Sequence, residues 1–145
     1  MRSISFFILG NIMVLLTAFL HLIGHIMGSA KATGADEQKL YDLMDNLKIN
    51  ILGIARTTSE ILTGYSLIFA ITTIFFALYN FILLKTIRTN IPLYRYILLF
   101  NILLWSLELL VFIVYMVPPP IILSSLILTL FLLAYFTLSS KRQVT

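Results

Sequence analysis

Two histidines, His21 and His25, stand four residues apart in the stretch HLIGHIMG, inside an apolar N-terminal run, and Glu60 and Glu108 interrupt two later apolar runs. Imidazoles at positions i and i+4 share one face of a helix. With a carboxylate added, His21, His25 and Glu108 match the donor set of zinc or another transition metal. The wider group of His21, His25, Glu60 and Glu108 could equally hold a small amphipathic ligand or relay protons, since imidazole titrates near neutral pH. HxxxH alone is a weak signature. HExxH is absent from the chain, which leaves a zinc protease without its general base. Haem is disfavoured, because two histidines on one helix cannot both be axial ligands of the same haem and the chain has only these two. The chain has no cysteine, which removes disulfides, thiolate metal sites and cysteine nucleophiles. No Asp falls in an apolar run, so a Ser–His–Asp triad has no third member there. These residues point to binding or transport before catalysis, and no catalytic residue is assigned.

The elements that must position them follow from composition. Of 145 residues, 60% are hydrophobic and 11% charged, and the mean hydropathy is +1.02. A water-soluble domain of this size needs far more polar surface. A span takes about 20 apolar residues. Four stretches qualify, at residues 4–27, 55–84, 96–117 and 121–138. Only helices satisfy their own backbone groups in hydrocarbon, and four segments cannot close a barrel. The expected fold is therefore all-α, a single membrane domain over 1–145 built as a four-transmembrane-helix bundle. The first stretch exceeds the usual signal-peptide apolar region, despite Gly28, Ser29 and Ala30, and is read as a retained helix.

Between the first two spans, Leu40, Leu43, Met44, Leu47 and Ile51 follow helical spacing, with most charges elsewhere around the wheel. This predicts a short amphipathic helix over 36–51, opened by a Thr33–Asp36 capping pair. It would serve as a connector pressed on the bundle or as a lid over a site. Pro118, Pro119 and Pro120 mark the turn between the last two spans. Lys85, Arg88 and Arg95 share a side with Arg2, Lys141 and Arg142, against Lys31, Lys39, Lys48 and Arg56 on the other. The positive-inside rule then puts both termini in the cytoplasm. The basic net charge of +4 is accounted for at segment ends, and no nucleic-acid module is present.

Alternating helix direction brings His21, His25, Glu60 and Glu108 to one leaflet, the outer one in this topology. Asn11, Val14 and Ala18 share the histidine stripe, while Asn101, Trp105, Glu108, Phe112 and Tyr115 form a stripe on the third span. Gly10, Thr17 and Gly24 form a second stripe on the first, of small residues that permit close helix approach. Each ionisable residue also has a plainer role. Glu60 can pair with Arg56, His25 can cap a helix end, His21 can pack as a neutral ring, and Glu108 can hydrogen-bond across helices. Asn80 and Asn101 read as interhelical glue. The functional expectation is a polar His/Glu site binding or moving a metal ion, proton or small amphipathic ligand. The alternatives are an accessory subunit of a larger membrane complex, or a lipid- or quinone-modifying enzyme. The lipid bilayer is the expected partner, with partner membrane subunits or a homo-oligomer as further expectations.

HLIGHIMG followed by ARTTSEILTGYSLIFA resembles small four-helix bacterial inner-membrane proteins, broadly the DoxX-like group. The resemblance covers roughly the first 85 residues and is diffuse beyond them. It implies a multi-pass protein of the bacterial inner membrane and carries no chemistry over to any residue. The small multidrug transporters also have four helices, but their essential Glu lies in the first, where this chain has histidines.

Overall fold

In the computed structural model, which describes residues 2–28 and 34–139, the chain runs α1 (Arg2–Gly28), α2 (Ala35–Asn46), β1 (Lys48–Ile51), β2 (Ile54–Thr57), α3 (Thr58–Ile87), α4 (Ile91–Tyr115) and α5 (Pro118–Ser139). It is predominantly helical. Helices α1, α3, α4 and α5 are each long and apolar enough to cross a membrane. Lys31, Thr33, Lys141 and Arg142, used above for capping and topology, lie outside the described residues, as do Ser29 and Ala30.

The all-α expectation is corrected in one place. The helix expected over 36–51 stops at Asn46, and the chain then folds back as an antiparallel hairpin pairing Lys48 with Thr57 and Ile51 with Ile54. Alternating β-branched residues in KINI favour a strand. The two-residue loop Leu52–Gly53 has φ of 54° and 84°, as a type I′ hairpin turn requires. The second span therefore begins at Thr58 rather than residue 55. The third begins earlier than expected, at Ile91. Asn90 caps it by accepting the Leu93 N–H at 3.0 Å, and Pro92 sits in its first turn. Pro118, Pro119 and Pro120 are themselves the first turn of α5, where missing N–H groups cost nothing.

The chain divides into two compact units. Residues 1–17 and 74–145 form one, and 18–73 the other. In the first unit, Phe7 and Val14 of α1, Ala77 and Ile87 of α3, Tyr94, Leu98 and Trp105 of α4, and Ile127, Phe131 and Ala134 of α5 make one buried core. The Phe7 ring meets Tyr94 edge-on at 5.6 Å. Gly10 allows the closest approach. A Cβ there would stand 3.0 Å from Cε1 of Phe131. At one end of this unit the Ser3 hydroxyl donates to the Ala134 carbonyl at 2.6 Å, and the Tyr94 hydroxyl donates to the Ser3 carbonyl at 3.0 Å.

Deeper in the same unit, the Asn80 amide donates to Asn11 Oδ1 at 2.8 Å and to Asn101 Oδ1 at 3.0 Å. Asn11 and Asn101 donate in turn to the carbonyls of Phe7 and Ile97 on their own helices. All three asparagines are buried, so an amide from each of α1, α3 and α4 is tied into one network, as glue is expected to be inside a bilayer.

The second unit holds the C-terminal part of α1, then α2, the hairpin and the start of α3. The Thr58 N–H donates to the Leu47 carbonyl at 3.1 Å, tying the end of α2 to the joint between β2 and α3. On α2 the polar side chains pair locally, Lys39 with Asp36, Gln38 with Asp42 and Tyr41 with Glu37. The Glu37 carboxylate accepts the Tyr41 hydroxyl and its charge adds to the effect, so the phenol is held above its ordinary ionisation range.

Candidate functional site

In hydrocarbon a polar side chain must find a partner within the protein. Most here do so locally. Thr17, Thr72, Ser106, Ser125, Thr129 and Thr137 each donate to the carbonyl four residues back on their own helix. Three buried polar atoms have no hydrogen-bond partner among the described residues: Trp105 Nε1, Glu108 Oε2 and Ser124 Oγ. All belong to the first unit.

These three atoms are placed by one hairpin. Trp105 and Glu108 are three residues apart on α4, one and two turns beyond Asn101 on the same stripe. Glu108 stands seven residues before Tyr115, the last residue of α4, and Ser124 six residues after Pro118, the first of α5. At about 1.5 Å per residue both lie roughly 10 Å from the turn joining the helices. The indole and side chain of Ser124 are fully enclosed, and Glu108 is half-buried. Ser124 behaves unlike its neighbour Ser125, which back-bonds to Ile121. The set combines an N–H donor, a hydroxyl that donates or accepts, and a carboxyl. As group types they match what the polar end of a molecule that both donates and accepts hydrogen bonds requires.

The other expected site residues belong to the second unit. His21 Nε2 lies 2.8 Å from Ser66 Oγ on α3, and its ring meets Phe69 edge-on at 4.8 Å, all within the second unit. His25 sits in the last turn of α1, and beyond its own turn of helix Gly24 beside it has no described atom within 4 Å of where a Cβ would stand. Glu60 is exposed and closes a capping box. Its carboxylate accepts the Thr57 N–H at 2.9 Å, and its own N–H donates to Thr57 Oγ1 at 3.2 Å. Among the described residues, no three His, Cys, Asp or Glu side chains come together as a set able to hold a metal ion.

Glu108 stands out in the sequence as an ionisable residue inside an apolar run, and Trp105 only as part of its stripe; Ser124 carries no signal of its own. The missing signal for Ser124 is physical. Nothing in SS tells which of two adjacent serines back-bonds to its own helix and which turns to the packed side. Comparison with known proteins adds no relative: no protein-family model, curated protein or solved structure matches the chain.

Proposed function

We propose that this is a small four-span membrane protein that binds, or passes across the membrane, a small amphipathic molecule, with Glu108, Trp105 and Ser124 receiving its polar end. The observation that carries the reading is the three enclosed polar atoms without partners at neighbouring levels of α4 and α5. Leaving buried donors and acceptors unmade costs about 1–3 kcal/mol each, a cost that a ligand bearing a hydroxyl or amide would recover. A ligand of that kind accepts from the indole N–H and the serine hydroxyl and donates to the carboxyl oxygen. Proton movement would use Glu108 as its acceptor. A metal ion is a poorer fit, since an indole N–H is no ligand. In this reading the site lies in the outer leaflet, both termini are cytoplasmic, and the protein belongs to a bacterial inner membrane.

The test uses N,N′-dicyclohexylcarbodiimide, an apolar reagent that adds a carboxyl group across its C=N bond and rearranges to a stable N-acylurea. In reconstituted protein it should modify Glu108, and decanol should slow that modification by at least about threefold through occupation of the site. Glu108→Gln should abolish it. Modification confined to the carboxylates of residues 36–60, or a rate that decanol leaves unchanged, would refute the site. Because the chain lacks cysteine, orientation is read separately. A membrane-impermeant thiol reagent on intact cells should label Ala35→Cys and spare Thr89→Cys.

A further inference from the structure

The β1–β2 hairpin presents an apolar surface that the described residues leave bare. Residues directly opposite in an antiparallel pair share a face. Ile49 with Arg56 and Ile51 with Ile54 therefore lie on one side, and Lys48 with Thr57 and Asn50 with Ala55 on the other. Ile51 and Ile54 are 59% and 61% exposed, and Leu52 at the tip is 98% exposed. Leu52 also has a φ of 54°. That left-handed position suits Gly or Asn and is uncommon for a bulky apolar side chain. A strained, fully exposed leucine at the end of an isoleucine face packs against nothing among the described residues.

Three features say what covers it. First, β2 runs directly into α3, with Thr57 followed by Thr58, and α3 is a candidate membrane span. The Thr57–Glu60 capping box and the Thr58–Leu47 bond clamp that joint. The hairpin is thus held within a few residues of where α3 meets lipid. Second, Lys48 and Arg56 are the only charged residues in 48–57, both cationic, and both lie at the end nearest α3. Third, the carboxylates of Asp36, Glu37 and Asp42 on α2 are engaged with neighbours on that helix. We propose that the hairpin is a membrane-surface anchor. Its isoleucine face and Leu52 enter the boundary between lipid headgroups and acyl chains, and Lys48 and Arg56 meet anionic lipid phosphates.

The experiment places single cysteines in the full-length, naturally cysteine-free chain at Asn50, Ile51 and Leu52. Each is labelled with a polarity-sensitive nitrobenzoxadiazole dye and reconstituted in phosphatidylcholine vesicles with roughly one phosphatidylglycerol in three. Dye at 51 and 52 should be blue-shifted and quenched at least about threefold more by shallow nitroxide lipids than dye at 50, with the reverse order for aqueous iodide. Leu52→Asn retains a residue the turn favours while removing the apolar tip. It should lower nitroxide quenching of the dye at 51 by about half. Equal iodide access at 50 and 52 would overturn the proposal. So would dye at 52 that is shielded from iodide and nitroxide alike, because protein would then cover the tip instead of lipid.

Discussion

Helix α4 carries two polar neighbourhoods within three turns of each other, and they are treated in opposite ways. At Asn101 every partner is supplied internally, by Asn80 across the packing and by the Ile97 carbonyl on the same helix. At Trp105 and Glu108, one and two turns farther on, buried atoms have no partner among the described residues. Both neighbourhoods belong to the same packed unit, so burial alone does not separate them. A polar group that serves packing is completed by the chain. The proposed site rests on the ones left incomplete at a stability cost.

Breaking the completed neighbourhood should have the largest effect. Asn80→Leu strands the Oδ1 atoms of Asn11 and Asn101, each losing the donor it has now. A stranded buried acceptor costs about 1–3 kcal/mol, and interhelical bonds in membranes average nearer 0.6 kcal/mol. A loss of about 1–3 kcal/mol is expected, read from the midpoint of detergent-induced unfolding in bicelles. Replacing all three asparagines by leucine should cost less than the sum of the single changes, since no stranded atom remains.

Glu108→Leu should act with the opposite sign. It removes an incomplete buried group, so stability in the same assay should rise by about 1 kcal/mol while carbodiimide modification is lost. A drop comparable to that of Asn80→Leu would place Glu108 with the packing residues and dissolve the contrast. Gly10→Ala sharpens the packing side alone. The new methyl would press on the end of the Phe131 ring, itself enclosed against Phe7. Overpacking of about 1–3 kcal/mol is offset by the roughly 1 kcal/mol better helix propensity of alanine. A net loss of about 1 kcal/mol is expected.

The smallest effect lies outside the spans. Glu37→Gln should bring the Tyr41 phenol back down toward its ordinary range, seen in the tyrosinate absorbance as pH is raised, with a small loss of thermal stability near neutral pH that fades at alkaline pH. The sign follows from linkage. A phenol held high by Glu37 contributes its stabilisation below the unfolded value and loses it as pH climbs through the folded one.

The spans were legible because runs of apolar residues are their own signal, and hydrocarbon leaves the backbone no alternative to helix. The hairpin was not legible. Leu40, Leu43, Leu47 and Ile51 satisfy helical spacing while KINI also alternates as a strand, and the loop has Leu–Gly where Asn–Gly would have announced a turn. Glu60 is partly legible, since TTSE carries the S/T-x-x-E signature of a helix start, although a carboxylate at the edge of an apolar run also suggests a binding site. Asparagines inside apolar runs are legible as glue in kind, but which of them meet depends on helix rotation, which spacing alone leaves open. The same freedom hid Ser66 as the partner of His21.

The asparagine network also sets a clock. Asn11 and Asn80 are 69 positions apart in the chain, and Asn80 and Asn101 a further 21. At about 5–20 residues per second of synthesis, roughly 3–14 s pass between the making of Asn11 and of its donor, and about 1–4 s more before Asn101 follows. Through that interval the Asn11 amide nitrogen is already occupied by the Phe7 carbonyl of its own helix, while its oxygen waits. The first span is therefore born with an unfilled acceptor near its N-terminal third. That oxygen gains its donor only when Asn80 of α3 has been made, so the order of translation is written into the hydrogen bonding of the finished core.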